Sequence, residues 1–206
     1  TVTGNDDGNY ALSFAEVKAD ITTRPTEVAF TADDKVYDGT KTAVVHDFVF
    51  SNLVDGDALT MEKATAQFAE SRVGEWAVAI DPGYEVTGND DGNYAIAFTS
   101  VQAKITPKAI TVGFTAENKV YDGTTAAVIP LAGIDFGGQL ATGDTINVTA
   151  AAGSFADAKV GDWNVTVNPA DCTITGNADG NYAISFAANV TAEITSKAVT
   201  VSFTAD

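Results

Sequence analysis

Paired aspartates recur in the sequence at places where a hard cation would find oxygen ligands. One pair lies in each copy of the segment TGNDDGNY, at residues 3–10 and 87–94, and a third pair precedes the segment KVYDGT. The six acids are Asp6, Asp7, Asp90, Asp91, Asp33 and Asp34. Calcium takes about six to eight carboxylate and carbonyl oxygens, so these residues are candidate calcium ligands. Their spacing differs from that of an EF-hand, and the alternative is a turn rich in Asx residues whose acids face water.

The elements that would position these acids are repeated. KVYDGT occurs at residues 35–40 and 119–124, and the segment with TGN and DGNYA occurs three times, beginning at residues 3, 87 and 175. Corresponding positions lie 84 residues apart at Tyr37 and Tyr121 and 89 apart at Ile105 and Ile194. Units of this length are long enough to be small domains with their own cores, unlike the shorter units of a solenoid.

The repeated phrase is predicted to be a structural motif. Its residues are Tyr37, Asp38 and Gly39 in one copy and Tyr121, Asp122 and Gly123 in the next. We expect Val36 and Tyr37 to enter an apolar layer, with the phenol oxygen free to reach a backbone partner. The aspartate is expected to accept from backbone amides two residues on, and the glycine to supply a positive φ. The alternative is a ligand-binding pair of Tyr37 and Asp38, but residues repeated in every module are more often part of the folding code.

Residues with catalytic chemistry are sparse. His46 is the single histidine, and its counterpart in the next copy is Pro130. The sequence has no nucleophile turn, phosphate loop or metal-spaced Cys/His cluster. Cys172 is the one cysteine, and its counterpart Tyr84 indicates a position that faces a core. We therefore expect a protein that is not an enzyme and has no cofactor apart from the candidate calcium.

The composition and the periodicity predict an all-β fold. The chain has 18 glycines and a single methionine, and apolar residues alternate with polar ones, as at Ile110, Val112 and Phe114. Period-two alternation is typical of half-buried strands, and Asp-Gly and Gly-Gly turns separate the strands at short intervals. Each copy is predicted to be an immunoglobulin-like β-sandwich of about six to eight strands, and the two modules are expected end to end.

The net charge bears on partners. The chain carries 28 acidic and 11 basic residues, a formal charge of −17. A surface of this sign repels nucleic acid and anionic membranes, so we expect neither as a partner. No apolar run has the length of a membrane-spanning helix, and we expect a monomer that does not insert into membranes.

Several motifs follow one another in a fixed order within each copy: KVYDGT, a Gly-Asp turn, a segment with Phe and Val-Gly before a strand, the glycine-rich segment, and Ile-Thr-Pro. This order resembles the YDG-type repeat, a family of extender modules in very large bacterial surface adhesins. The second copy departs from it, with Ser196 in place of Pro107 and Ala178 in place of Asp90. The resemblance implies a secreted β-domain at the bacterial cell surface, whose partners are the neighbouring repeats. A host or surface ligand would be bound elsewhere in the parent protein.

Four segments follow from the repeats. Residues 24–106 and 107–195 are complete copies, residues 1–23 correspond to the last strands of a preceding repeat, and residues 196–206 correspond to the first strand of a following one. We expect residues 1–23 to form a β-ribbon or long strand packed on the first module. We expect residues 196–206 to pair with strands of the second.

Two functions remain open. One is a spacer that holds a distal binding domain away from the cell; the other is an adhesion module that binds a glycan or peptide, with calcium-rigidified loops. A binding site should elaborate one loop with aromatic residues. The segment from Tyr121 to Asp144 is three residues longer than that from Tyr37 to Asp57, but it adds only Phe136, which favours the spacer.

The links between segments lead to two structural expectations. Only residues 106–108 join the two copies, so the modules should stack into a rod of about 80 Å. Within the first copy the apolar parity flips between Phe98 and Val101, which predicts a bulge, a bend or a change of sheet at Thr99–Ser100 and again at Ala15–Glu16. At residues 187–189 we expect an unbroken strand or one more residue looped out.

Overall fold

The computed structural model describes residues 3–204, which form β-structure with two short 3-10 turns, Leu131–Gly133 and Pro169–Asp171, and no α-helix. The strands of residues 24–106 (repeat 1) are β1 (Arg24–Ala32), β2 (Lys35–Val36), β3 (Thr42–Ala43), β4 (Val45–Phe50), β5 (Thr60–Lys63), β6 (Ala66–Phe68), β7 (Gly74–Ile80), β8 (Glu85–Thr87), β9 (Tyr94–Phe98) and β10 (Val101–Thr106). Those of residues 107–195 (repeat 2) are β11 (Lys108–Val112), β12 (Lys119–Val120), β13 (Ala126–Val128), β14 (Asn147–Ala150), β15 (Ala152–Phe155), β16 (Gly161–Val167), β17 (Thr173–Thr175), β18 (Tyr182–Phe186) and β19 (Val190–Thr195).

The all-β prediction is confirmed. The expected six to eight strands per module were too few, because several strands have only two or three residues. Among the described residues, no helix has the length and apolar character needed to cross a membrane.

Each repeat is a sandwich of two main sheets. In repeat 1 the sheet β4-β1-β9 faces the sheet β2-β10-β7-β6-β3, and in repeat 2 the sheet β11-β18 faces β12-β19-β16-β15-β13. A two-stranded ribbon, β5-β8 or β14-β17, completes each module. The facing sheets share their buried side chains: Phe30 of β1 lies in one cluster with Phe68 and Val78 of the opposite sheet. The two predicted sandwich modules are therefore present.

Alternating side chains explain why these segments are strands. Strand β1 buries Thr26, Val28 and Phe30 and exposes the residues between them. Strand β11 buries Ile110 and Val112 in the same way. Because successive residues of a strand point to opposite faces, this alternation gives each strand one apolar face for the interior of the sandwich.

The chain enters each repeat at one end and leaves at the other. Strand β1 pairs with β9 in parallel, and β11 pairs with β18 in parallel. The first and last segments of a repeat therefore run in the same direction, which carries the chain onward instead of returning it. Only Pro107 separates β10 from β11, so the two modules follow each other end to end.

The parity change predicted at Thr99–Ser100 is confirmed as a change of sheet. Strand β9 pairs with β1, whereas β10, two residues later, pairs with β7 of the other sheet. The corresponding crossing in repeat 2 takes three residues, 187–189, and Asn189 there has a φ of 62°. This is the extra looped-out residue expected from the sequence. At Ala15–Glu16 the described chain has no strand to interrupt, so the prediction fails there.

The prediction for the terminal segments is wrong for the residues described. Residues 3–23 contain no strand, and their apolar side chains, Phe14 and Val17 among them, are exposed. Residues 196–204 also contain no strand. The counterparts of these segments are β8 to β10 and β11, which pair with strands of their own repeat. Such partners for the two segments do not occur within residues 3–204. Residues 1, 2, 205 and 206 lie outside the described residues.

Repeat 2 replaces one strand with a loop. In repeat 1 the outer edge of β1 pairs with β4, but β11 has no equivalent strand partner in the described structure. Gly113 instead bridges to Asp135. The side-chain amide of Gln139 accepts from the Thr111 N–H at 3.0 Å and donates to the Thr111 carbonyl at 2.8 Å. One side chain thus provides the hydrogen bonds that a neighbouring strand would provide.

Candidate functional site: the junction between the repeats

The YDG motif forms a turn around a lysine. Lys35 donates from Nζ to the Asp38 carboxylate at 2.8 Å, to the Thr40 carbonyl at 2.8 Å and to the Thr42 carbonyl at 3.1 Å. Asp38 also accepts from the Thr40 N–H at 2.8 Å, and Gly39 has a φ of 81°. The predicted roles of the aspartate and the glycine are confirmed. Lys35 closes the turn, and this role of the lysine was not predicted from the sequence.

Repeat 2 has the same turn. Lys119 donates to the Asp122 carboxylate at 2.9 Å and to the carbonyls of Thr124 and Ala126 at 2.7 and 3.0 Å. The hydrogen bond from Lys119, followed by those from Thr124, lowers the pKa of Asp122 to about 2. In repeat 1, burial raises the pKa of Asp38, but the bonds from Lys35 and Thr40 outweigh it, so the pKa is lowered overall. Both aspartates are anions that hold their turns closed.

Tyr37 reaches into the second repeat. Its side chain is buried, with 5% of the residue exposed, and its hydroxyl donates to the Asp144 carboxylate at 2.8 Å. Tyr182 donates to the same oxygen at 2.7 Å and accepts from the Ala141 N–H at 2.7 Å. The two tyrosine rings meet edge to face, with centroids 5.3 Å apart. One carboxylate therefore binds a tyrosine from each repeat.

Part of the prediction for the motif is wrong. Tyr37 enters an apolar layer, but Val36 points outward and is exposed. The Tyr37 hydroxyl binds a side chain of the other repeat and not a backbone group. Burial, followed by the hydrogen bond to Asp144, raises the pKa of Tyr37 well above its ordinary value. The phenol therefore stays protonated and keeps donating throughout the physiological range.

Further polar contacts join the modules beside the tyrosines. The Val73 N–H donates to the side-chain oxygen of Asn181 at 2.9 Å. The Arg72 guanidinium lies 3.8 Å from the Asp179 carboxylate, with both side chains about half exposed. Such an exposed pair adds little energy, but it favours one relative orientation.

The apolar core continues across the junction. One cluster contains Phe68 and Ile105 of repeat 1 together with Ile110, Val112 and Ile146 of repeat 2. A second cluster, which includes Phe155 and Ile194, fills the far half of repeat 2. The sheets of each repeat close within residues 24–106 or 107–195, but the buried cluster spans the boundary. The two modules are therefore packed together as well as linked.

The structure does not gather the candidate calcium ligands into a cluster within the described part of the chain. All six aspartates are exposed, and no group of three or more His, Cys, Asp or Glu residues in the described part of the chain could hold a metal ion. Asp34 instead accepts from the Lys104 N–H. In the glycine-rich segment the loop is closed by Asn89, which bonds the N–H and the carbonyl of Tyr94. Calcium binding stays a prediction for calorimetry after chelation.

His46 is held between two acids. Its Nδ1 lies 2.8 Å from the Asp47 carboxylate and its Nε2 lies 3.0 Å from the Asp33 carboxylate. The hydrogen bonds with Asp33 and then Asp47 raise the pKa of His46. Both ring nitrogens of the histidine are thus occupied by carboxylates.

The single cysteine of the sequence, Cys172, is partly buried, and burial raises the pKa of its thiol.

Sequence comparison assigns the chain to a family. The YDG domain family matches residues 22–103 and 106–192, which together make up more than half of the chain. The matched segments agree closely with the two sandwich modules. No curated protein and no solved structure matches the chain significantly. The chain belongs to the YDG domain family and contains two tandem YDG domains.

Proposed function

We propose that the chain is a structural extender of a secreted bacterial cell-surface adhesin. Its non-catalytic YDG repeats would hold a distal binding domain away from the cell. The observation that carries this proposal is the buried Tyr37, whose hydroxyl binds Asp144 of the next repeat. A spacer needs joints that resist bending, and here a residue of the repeated motif forms the joint.

The link between the modules supports a stiff joint. A single residue, Pro107, separates the last strand of repeat 1 from the first strand of repeat 2. The ring of proline fixes its φ and keeps the preceding residue extended. Gly39 approaches repeat 2 so closely that a Cβ atom there would lie 3.2 Å from the Cβ of Ala141. A short link and close packing leave little room for hinge motion.

The same features set the proposed partners and location. The neighbouring YDG repeats are the partners, and the host or surface ligand is bound elsewhere in the parent protein. A net charge of −17 suits a chain that works in water outside the cell and binds neither nucleic acid nor membrane. The two carboxylates around His46 support a non-catalytic role, because they leave neither ring nitrogen free to activate a nucleophile.

The loop that differs between the repeats also supports the spacer over a ligand-binding module. Its residue Gln139 is bonded to both backbone groups of Thr111, and its residue Asp135 bridges to Gly113. Residues that vary between copies would be expected to face a ligand if the loop were a binding site. Here Gln139 and Asp135 instead provide hydrogen bonds to the outer edge of the segment that contains Thr111 and Gly113.

Residual dipolar couplings measured by NMR on the whole chain test the proposal. Couplings from repeats 1 and 2 should fit one common alignment tensor. The variant Tyr37→Ala should require two tensors of different magnitude, because it loses the buried ring and the bond to Asp144. The matched control Tyr121→Ala changes the same motif at the far end of repeat 2 and should keep one tensor. Separate tensors for the repeats in the unmodified chain would contradict a stiff spacer.

A further inference from the structure

Six aspartates of the sequence precede a glycine, and an Asp-Gly bond can rearrange without an enzyme. The glycine nitrogen can attack Cγ of the aspartate, because glycine has no Cβ atom to hinder the approach. Whether a given bond reacts depends on whether the fold leaves both the nitrogen and the carboxylate free to meet. The six bonds are Asp7–Gly8, Asp38–Gly39, Asp55–Gly56, Asp91–Gly92, Asp122–Gly123 and Asp179–Gly180.

The carboxylates of the two YDG motifs are held by other groups. Asp38 accepts from the lysine, the threonine N–H and the threonine hydroxyl of its motif, each at 2.8 Å. Asp122 accepts the same three bonds at 2.9 Å. The bond from Lys119, followed by those from Thr124, lowers the pKa of Asp122 to about 2. An ionised carboxylate bound by three donors is a poor target, because the rearrangement must expel one carboxyl oxygen as water.

In the three glycine-rich loops the nitrogen is the group that is bound. The Gly92 N–H donates to the Asn89 carbonyl at 2.9 Å, and the Gly180 N–H donates to the Asn177 carbonyl at 3.0 Å. Gly8 makes the same bond, at 3.1 Å, to the carbonyl three residues before it. A bonded N–H reacts only when the loop opens, so these three Asp-Gly bonds are protected at the nitrogen.

The bond between Asp55 and Gly56 has neither protection. Within residues 3–204 the Asp55 carboxylate makes no hydrogen bond or ion pair, and the Gly56 N–H has no acceptor. Asp55 is exposed, and a Cβ atom on Gly56 would meet nothing within 4 Å. The hydrogen bond that closes this turn runs from the Asp57 N–H to the Val54 carbonyl at 3.0 Å and involves neither residue. Both reacting groups are therefore free.

The corresponding turn of repeat 2 shows that packing against another module does not cover this place. Thr142 and Gly143 correspond to Asp55 and Gly56, and both glycines have a φ of 92°. Thr142 and Gly143 are exposed although the adjacent Asp144 is bound by a tyrosine of repeat 1. The turn is thus accessible beside a neighbouring repeat as well as without one. Repeat 1 carries an aspartate at this place, whereas repeat 2 carries a threonine that cannot react.

We propose that Asp55 is a site of spontaneous backbone modification, at which the bond to Gly56 rearranges to an isoaspartyl bond, and that the YDG lysines prevent this reaction in their own turns. The Gly56 nitrogen loses its proton and bonds to Cγ of Asp55, which expels one carboxyl oxygen as water and closes a succinimide ring. Water then adds to one of the two ring carbonyls and breaks its bond to the nitrogen. Opening at the main-chain carbonyl leaves the chain linked through Cγ, and opening at Cγ restores aspartate. The water that is lost is returned, so no oxidant, reductant or cofactor is consumed.

The rearrangement lengthens the turn that holds Tyr94. The Val54 N–H donates to the Tyr94 hydroxyl at 2.9 Å, and that hydroxyl donates to the Asp57 carboxylate. An isoaspartyl bond inserts the Cβ atom of residue 55 into the main chain between these two groups. The bonds to Tyr94 should therefore weaken, and the modification should lower the melting temperature of repeat 1.

Peptide mapping of the aged chain tests the proposal. The chain is kept for several weeks in mildly acidic buffer, cleaved after lysine, and analysed by mass spectrometry with electron-transfer fragmentation, which distinguishes isoaspartate from aspartate. Asp55, Asp38 and Asp122 fall in separate peptides, residues 42–63, 36–41 and 120–159. Isoaspartate should accumulate at least about tenfold faster at residue 55, because hydrogen bonds to a charged group must first break at the other two.

Two variants separate the effect of the fold from that of the dipeptide. Asp55→Thr copies Thr142 of repeat 2, so it should fold normally, form no isoaspartate at residue 55 and keep its melting temperature on ageing. Lys119→Met removes the ammonium group from the second YDG turn and should raise the rate at Asp122 but not at Asp55. In denaturant, where these contacts are lost in the unmodified chain, the rates at residues 38, 55 and 122 should become similar.

Three results would overturn the proposal. The first is a rate at residue 55 no faster than at residues 38 and 122 in the folded chain. The second is a difference that persists in denaturant, which would assign it to the local sequence and not to the fold. The third is an unchanged rate at Asp122 in folded Lys119→Met, which would remove the protective role of the lysine.

The proposal goes beyond the spacer function, because it concerns a turn within repeat 1 and not the joint between the repeats. Its failure would leave the common alignment tensor of repeats 1 and 2 unchanged. Failure of the stiff joint would show in the couplings of a freshly purified chain, before isoaspartate accumulates. The two measurements therefore distinguish the two outcomes.

Discussion

Thr26 buries a hydroxyl group that finds no hydrogen-bond partner within residues 3–204. The residue is 1% exposed, in strand β1, and its counterpart in repeat 2 is the buried Ile110. An unpaired buried hydroxyl costs about 1–3 kcal/mol. Thr26→Val keeps the shape of the side chain and removes the hydroxyl, so it should raise the free energy of unfolding of repeat 1 by about 1 kcal/mol or more.

Chemical denaturation of Thr26→Val, compared with Thr60→Val, measures this gain. Thr60 lies in strand β5, and its side chain is exposed, so its replacement should change the free energy of unfolding by less than about 0.5 kcal/mol. A loss of stability in Thr26→Val would mean that the hydroxyl makes a bond that the structure does not show.

The environment of His46 predicts a pH dependence. Its pKa in the folded chain is raised, by Asp33 first and Asp47 second, above the value of about 6.5 expected in the unfolded chain. The histidine therefore contributes stability fully below pH ~6.5, and this contribution is lost as the pH rises through the raised pKa. An NMR titration should give a pKa above 6.5 for His46.

Substitution of the acids isolates the cause of this shift. Asp33→Asn and Asp47→Asn should each lower the pKa of His46. Asn suits position 47, where φ is 55°, because it tolerates left-handed backbone geometry. Asp34→Asn is the control, since Asp34 binds the Lys104 N–H and has no bond with His46. An equal effect of all three substitutions would point to overall charge instead of direct contacts.

Strand β11 depends on one side chain for the hydrogen bonds of its outer edge. Gln139 bonds both backbone groups of Thr111, where repeat 1 has the strand β4 beside β1. Gln139→Ala should destabilise repeat 2 by about 1 kcal/mol, because the two hydrogen bonds to Thr111 are lost and water replaces them at the exposed edge. Hydrogen exchange of the Thr111 amide should speed up in parallel.

The control for this change is Gln102→Ala, which alters an exposed glutamine of strand β10. It should leave both the free energy of unfolding and the exchange of Thr111 unchanged. Slow exchange of Thr111 in Gln139→Ala would contradict the role given to the side chain, because another group would then protect the edge.

The strands were largely predictable from the sequence, but their partners were not. Alternation fixes which face of β1 and β11 is buried, and the odd step from Phe98 to Val101 predicts the change of sheet. The replacement of β4 by Gln139 leaves no periodic signal in the sequence, since a single side-chain amide makes the hydrogen bonds that a neighbouring strand would make. Similarly, the exposed residues 3–23 read as strands because they match β8 to β10, but a strand also needs a partner.

The junction was the least predictable feature. The sequence showed that Tyr37 and Asp144 each recur in both copies, but they lie 107 residues apart and belong to different repeats. Only the packing of one module on the next brings them together. Lys35 recurs in the same phrase as Tyr37, and this repetition was the one available signal for its role in the turn.

At the scale of the whole molecule, the shared core predicts that the modules stabilise each other. Tyr37 is buried against Tyr182, and Ile105 lies in one cluster with Ile110. In tandem repeats the total stability is the sum of terms within modules and terms between neighbours. Loss of a buried aromatic ring costs about 3–5 kcal/mol, so Tyr37→Ala should weaken the term between neighbours by about this amount.

Calorimetry of the whole chain measures this coupling. The unmodified chain should unfold in one transition or two closely spaced ones, and Tyr37→Ala should separate them by lowering the melting temperature of at least one module. Tyr121→Ala truncates the same residue of the same motif at an exposed position, so it should leave the spacing of the transitions unchanged. Tyr37→Phe keeps the ring but loses the bond to Asp144, so its spacing of the transitions should lie between those of Tyr37→Ala and Tyr121→Ala. Equal effects of Tyr37→Ala and Tyr121→Ala would show that the tyrosine stabilises only its own turn and that the repeats fold independently.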